Sequence, residues 1–479
     1  MYWTEPIPGL GDRVIYYPSG KVLGGSSSIN AMVYARGHPA DFDDWAAMGN
    51  PGWRWQYILP LYKRMEDHAH GAGPEHGAGG PLHVTEIAAA AHPLSHVYLR
   101  AGQEAGLGYN PDLNGASMEG VGLYQITTRG ALRLSAARAY LWPARRRANL
   151  RILTNALVAR VLLDGKRAIG VEYRHRGRSV AAHAAREVIL SAGAINSPQL
   201  LQFSGIGPGN VLRACGIEVK HESPAVGRHL QDHLCYDHIY RASQPSMNEE
   251  LLPWSGRLRA GLRYVLRRTG PLSLSINQGG GFFRSRPDLP HPDIQLYFSP
   301  LTYERTPPGI RALMRPDPFP GFSTSVSPCH PTSRGYLQIR SSDPTQAPFI
   351  QPNMLSTDDD VTQMLGGARF LRRLAATPAL ASVIDEELKP GRAIGSDDEL
   401  IADIRQRGYS VFHPVGTCRM GPDPATAVVD HRLRVHGIAS LRVIDASIFP
   451  TLTSGNTNAP AIMVGEKGAD LVAEDAASS

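Results

Sequence analysis

The sequence predicts an α/β protein, and three observations carry that reading. Glu187-Val188-Ile189-Leu190-Ser191-Ala192-Gly193 is a buried-type strand that ends in small residues and turns into a helix, the way α/β folds set a backbone against a ligand. A β-rich run broken by turn residues such as Asp164-Gly165 precedes it, from Arg151 onward. Helical segments occupy much of the rest, Thr357 to Ala376 and Ala459 to Ala473 among them. With 479 residues, 42% of them apolar, the chain is long enough for two or three domains with real cores.

Taken in order, residues 1–20 are loop-like and lead into Gly20-Lys21-Val22-Leu23-Gly24-Gly25-Ser26-Ser27-Ser28-Ile29-Asn30. Adjacent glycines and serines let a backbone approach a ligand closely and offer several donors, yet the same composition suits any tight loop before a helix. Asp41 to Trp45 and Trp53 to Glu66 predict amphipathic helices. His68, His70, His76 and His83 follow among glycines; a Gly-rich segment gives metal ligands no fixed geometry, so no metal site is expected. Residues 92–107 predict a helix, and Ser135 caps another.

Strands are then expected at Arg151–Thr154, Leu157–Leu163 and Ile169–Tyr173, and a helix opening at Ser197-Pro198. His229 and His233 have the i, i+4 spacing of a helical zinc pair, but no glutamate sits inside the motif, so a structural role is expected. Residues 240–330 read as irregular, with short apolar runs such as Ile294 to Phe298, and suit a substrate-facing region. Gly335 to Arg340 alternates as a strand, and Ser396-Asp397-Asp398-Glu399 is a capping box for a helix that ends near Gly408.

Bulk composition excludes several classes. The 49 basic and 43 acidic residues leave +6, spread along the chain apart from Arg145-Arg146-Arg147, whereas nucleic-acid binding needs a concentrated basic face. The four cysteines form no C-x-x-C and no disulfide pattern, which fits a reducing, cytoplasmic setting. The N-terminus has no signal-peptide pattern, and no run approaches the ~18 apolar residues of a membrane span. A soluble protein is expected, with peripheral contact at the inner membrane left open.

Near the C-terminus, Phe412-His413-Pro414-Val415-Gly416-Thr417 and Ser454-Gly455-Asn456-Thr457 flank the apolar stretch Leu441-Arg442-Val443-Ile444-Asp445. A strand beside a sharp turn would bring His413 and Asn456 to one mouth. An imidazole near its ordinary pKa and a carboxamide suit proton abstraction from an alcohol; a loop histidine before proline and a turn asparagine are the plainer alternatives.

With these stretches in hand, the chain resembles the glucose–methanol–choline (GMC) oxidoreductase family, flavin-dependent alcohol oxidoreductases, and within it the choline-dehydrogenase-like alcohol dehydrogenases. The resemblance rests on Gly20 to Asn30, on Gly193-Ala194-Ile195-Asn196-Ser197-Pro198 to Gly207, on His413 to Thr417, and on Val443-Ile444-Asp445-Ala446-Ser447 to Asn456. It implies an FAD-binding Rossmann-like domain and an α+β substrate-binding domain with an antiparallel sheet. The implied boundaries are 1–232 for the FAD-binding half, 233–424 for the substrate domain with a contribution from 86–130, and a return to the FAD-binding domain over 425–479. It further implies that Leu23, Gly24, Gly25, Asn30, Ala31, Met32, Val33, Val158, Ser191, Gly193, Asp445, Ala446, Asn456 and Thr457 hold FAD.

His413 would be the base and Asn456 the alkoxide-binding group for hydride transfer from an alcohol to flavin N5. Oxygen, a quinone or another carrier would take the electrons onward. Some choline-oxidising relatives attach flavin through a histidine just before the first-motif asparagine. Ile29 stands here, which implies non-covalent FAD. The family also opens with a strand, a G-x-G-x-x-G turn and a helix, and no such unit is legible in these residues. The alternative expectation is therefore a truncated, flavin-poor family member.

Overall fold

The computed structural model describes residues 1–304 and 315–478. The first helices, α1 (Pro39–Ala47) and α2 (Trp55–Met65), lie where predicted. Helix α3 (Pro93–Glu104) and strand β1 (Gly120–Leu123) follow. Ser135 precedes a five-residue π-helical turn, Ala137–Leu141, in place of a full α-helix. Strands β2 (Ala156–Asp164), β3 (Arg167–His175) and β4 (Arg178–His183) form an antiparallel sheet. Arg151–Thr154, expected as a strand, is loop, because no neighbour within the described residues pairs with it.

Strand β5 (Val188–Leu190) leads into helix α4 (Gly193–Phe203). The helix starts four residues before the predicted Ser197-Pro198. Its opening is set from far away: Asp445, 252 residues on, accepts the Gly193 amide at 2.8 Å and the Ser197 hydroxyl. That remote carboxylate overrides the local start signal.

Further elements include β6 (Leu234–Ala242), α5 (Trp254–Arg267), β7 (Gly279–Phe283), β8 (Ile294–Ser299), β9 (Gly321–Pro328), α6 (Asp358–Ala375), β10 (Ile384–Lys389), α7 (Asp397–Arg407), β11 (Leu441–Val443) and α8 (Asn458–Ser478), and the predicted strand near Gly335 is present as Gly335–Gln338. The order β10-β6-β9-β8-β7-β1 makes one antiparallel sheet, with Tyr409–Ser410 as a further short strand on β6. Three of its strands come from the stretch expected to be irregular. Gly-Gly-Gly-Phe-Phe in β7 and the serines of β9 have little intrinsic strand preference, and their neighbours hold them in the sheet. Residues 305–314 of that stretch lie outside the described residues.

Two large cores result. One lies under the sheet, where Leu296, Phe298, Phe322 and Val326 meet Tyr98 of α3 and Met364, Phe370 and Leu371 of α6. The other joins α1 and α2 to the parallel pair β5–β11 and to α8, through Trp45, Tyr62, Leu190, Val443 and Met463. A smaller buried cluster of Val33, Tyr124, Cys235, Phe282, Tyr297 and Cys329 lies apart from both. The pleat of β8 explains it. Ile294, Leu296 and Phe298 face the sheet's helical core, so Gln295 and Tyr297 point the other way.

Candidate functional site

His413 and Asn456 meet. Asn456 Nδ2 lies 3.2 Å from His413 Nε2. The loop carrying Asn456 is pinned by Asp41, whose carboxylate accepts the Ser454 amide at 2.7 Å, the Ser454 hydroxyl at 3.0 Å and pairs with His330 at 2.8 Å. Gly455, at φ +88, turns the chain where a Cβ would press on Ala35 at 3.1 Å and the Phe282 ring at 3.2 Å, a backbone conformation that favours glycine. His413 is pinned through its backbone: its amide donates to Asp232 Oδ1 at 2.8 Å, and the same carboxylate accepts Tyr17 and Ser410 hydroxyls.

The contacts assign the protons. His233 Nε2 sits 2.8 Å from the Cys329 carbonyl, which can only accept, so this nitrogen carries hydrogen. Burial pushes His233 down to about 4, so it is neutral and its Nδ1 is bare. Nδ1 of His413, 3.0 Å away, must then be the donor. Burial, and after it the neighbouring His233, holds His413 well below its ordinary range. A neutral His413 protonated on Nδ1 presents an unprotonated Nε2 toward Asn456. Behind Asn456 the chain of bonds continues, with Gln295 Nε2 donating to Asn456 Oδ1 at 3.2 Å and to the Tyr124 hydroxyl at 2.9 Å, while the Tyr297 hydroxyl donates to Gln295 Oε1 at 2.6 Å.

The residues expected to hold FAD fall in three places. Leu23, Gly24 and Gly25 lie on a tight turn, with Gly24 at φ +90 and the Ser28 hydroxyl donating to the Leu23 carbonyl. Asn30 Oδ1 accepts Arg133 at 2.6 Å and the Met32 amide at 3.0 Å, and the chain passes through Ala31 and Met32 to Val33, which is buried in the small cluster with Tyr297. Val158 and Ser191 line a second region, an open cavity of ≈430 Å³ along β5 and the start of α4. Third, Asp445 is occupied by its own chain, through Gly193, Ser197 and the Ser447 amide at 2.8 Å, while the Ala446 carbonyl accepts the Gly416 amide at 3.4 Å. Thr457 immediately precedes α8, its carbonyl accepting the Ala461 amide. Thr417 donates to the Ala194 carbonyl, tying the His413 segment to α4.

Sequence reasoning missed Asp232, His233, Tyr124, Gln295 and Tyr297. An acid beside a histidine at the start of a strand was a legible signal. Gln295 and Tyr297 gave none beyond strand alternation. Of the other histidines singled out, His68 meets Gln125 at 3.0 Å and His83 meets Asp67 at 2.9 Å. His229 lies in the short strand Arg228–Leu230, so it and His233 share no helix face. His76 bonds Glu66 at 3.0 Å and Asp112 at 2.7 Å; burial opposes its charge, but the two carboxylates raise it to about 9. The described residues hold no group of three ligands for a metal ion.

The chain belongs to the GMC oxidoreductase family. Residues 8–235 match the family's N-terminal model and 331–465 its C-terminal model. Human mitochondrial choline dehydrogenase is 43% identical over 475 residues, 98% of this chain and 78% of that protein. An alcohol dehydrogenase (acceptor) from Pseudomonas putida is 40% identical across 98% of this chain and 85% of its own length. Among solved structures, pyridoxine 4-oxidase from Mesorbium loti superposes with a TM-score of 0.87 at 33% identity, covering 98% of this chain and 87% of that one. The protein is therefore an oxidoreductase enzyme.

Proposed function

We propose that this chain oxidises the CH–OH group of a small alcohol to an aldehyde or ketone, using FAD held without a covalent bond. When bound, FAD supplies the hydride acceptor at its N5. Removing a hydride from an alcohol leaves the hydroxyl proton to be placed, and His413 Nε2 takes it. Asn456 Nδ2 donates to the oxygen as negative charge develops there, a role typically worth ~3 kcal/mol. The single observation that carries this reading is the convergence of an unprotonated Nε2 and an amide donor 3.2 Å apart. Asp232 stays out of the proton transfer: burial raises it to about 6, so at neutral pH it is mostly a carboxylate anchoring the His413 backbone.

The residues present suit the cofactor. Gly193, at φ +84, has open space where a Cβ would stand, and it follows Ala192, which lines the cavity with Val158 and Ser191. Met32 packs against the core under the sheet, and Val33 belongs to the small cluster that holds Tyr297. We read 1–232 and 425–479 as the flavin-holding part and 233–424, with 86–130, as the substrate-facing part. This division is supported by the two cores and by β1 joining the antiparallel sheet. Four free cysteines support a reducing, cytoplasmic setting.

A second reading, weak flavin retention, is favoured by one observation: among the described residues β5 has a single strand partner, and the cavity beside it is open. The absorption spectrum of the purified chain separates the two readings. A flavin band near ~450 nm that bleaches anaerobically with an alcohol supports the first; a colourless protein supports the second. In a flavin-loaded preparation, His413→Ala should abolish bleaching by alcohol, and unchanged reduction rates would sink the assignment of the base.

A further inference from the structure

Helix α5 is built inside out. Trp254, Leu258, Leu262, Val265 and Leu266 recur at the spacing of one helix face. A soluble protein buries such a face, yet here these five side chains are 51% to 77% exposed, Trp254 and Leu266 the most. The side turned to the body carries Gly256 and Ala260, both buried, and Tyr264, whose hydroxyl donates to the Ala131 carbonyl at 3.2 Å. A Cβ at Gly256 would overlap the Glu250 carbonyl, so the helix is seated on its small residues and cannot roll to hide the apolar ones.

The charges beside that face have one sign. Arg257, Arg259, Arg263, Arg267 and Arg268 are all exposed, and no acidic residue occurs between Glu250 and Asp288. Tryptophan and leucines on one side with arginines at its margins is the pattern of a helix lying in a lipid interface. Anionic headgroups complement the arginines. Two copies of the chain meeting through a two-fold axis would instead set arginine against arginine with no acid to answer it. No helix among the described residues is long and apolar enough to cross a membrane, so this helix would lie on the surface.

We propose that α5 is the element through which the protein docks on an anionic lipid surface, with the five apolar side chains entering the headgroup–acyl boundary. Arg133, which holds Asn30, extends from the same hairpin that Tyr264 grips, so docking would orient the flavin-candidate segment relative to the membrane.

The test is flotation of the purified full chain with phosphatidylethanolamine vesicles carrying about one-third phosphatidylglycerol, against phosphatidylcholine vesicles. Binding to the anionic vesicles should be at least ~10-fold tighter and should weaken as salt is raised. The double variant Leu262→Glu, Leu266→Glu should lose at least ~10-fold in binding while keeping its unfolding temperature, since both side chains are in water already. Arg259→Gln with Arg263→Gln should remove the preference for anionic vesicles. The proposal is overturned by absence of binding to either vesicle or by an undiminished Leu262→Glu, Leu266→Glu variant. A dimer in solution that the same variant dissociates would overturn it too, by giving the face to a second copy.

Discussion

His413 owes its chemistry to three neighbours that fix where its proton sits. His233 takes a hydrogen bond on one side, Asn456 gives one on the other, and Asp232 holds the backbone between them. His233 is thus a positioning residue. In His233→Ala, His413 can adopt the other tautomer and water can enter. We expect turnover with alcohol to fall by ~10²-fold, comparable to the whole of a typical general-base contribution. The acid limb of the kcat/KM profile should also rise, because burial is what depresses His413. A profile and turnover unchanged from the parent would show that His233 is mere packing. His413 and Asn456 were legible from their motifs; Asp232-His233 left only the signal of an acid beside a histidine, because it is the fold that brings the His233 ring to His413.

At the scale of elements, β7 links the sheet to the site. Its Gly279-Gly280-Gly281 run brings the strand against aromatic rings, and a Cβ at Gly280 would overlap the Tyr124 ring. Tyr124 in turn holds Gln295, and Gln295 holds Asn456. Gly280→Ala should therefore cost ~1–3 kcal/mol of stability by overpacking and lower alcohol turnover as Tyr124 shifts. Thermal unfolding together with steady-state rates checks this; a variant with parental values for both would mean the ring moves aside freely. Helices α1, α2, α3, α6, α7 and α8 were readable because caps and apolar periodicity agree with their tertiary roles. Strands β7 and β9 were not, since glycine and serine carry no strand signal without neighbours.

For the molecule as a whole, buried histidines make stability pH-dependent. Burial holds His233 at about 4 and His413 and His238 well below their ordinary range, while in the unfolded chain each titrates near ~6.5. Above that value neither state binds the proton and stability is unaffected. Below it the unfolded state gains protons that the native state refuses, so each histidine costs ~1.4 kcal/mol per pH unit. Asp232, raised to about 6 by burial, works in the opposite sense over the same window and offsets roughly one of the three. The net loss of ~3 kcal/mol per unit is large against a typical stability of ~5–15 kcal/mol. His76, raised to about 9, contributes stability that is present below ~6.5 and lost as pH climbs through its folded value. The unfolding temperature should peak near neutrality and drop steeply toward pH ~5, with a shallower alkaline decline. A flat profile down to pH ~5 would mean the buried imidazoles take up protons in the native state.

By itself the sequence determined the α/β class, most helices with their caps, and the expectation that His413 and Asn456 come together, as they do at 3.2 Å, because those signals are local or motif-bound. Only the tertiary structure decided the rest. The start of α4 is set by a carboxylate 252 residues away, and the strand order of the antiparallel sheet by pairings that chain order does not show. The His413 tautomer depends on a carbonyl at Cys329 that chain order does not place beside it. The outward-facing apolar stripe of α5 is the clearest case: it lies in the stretch read as irregular, and which face meets the body depends on what the body offers, here a seat for Gly256, Ala260 and the Tyr264 hydroxyl.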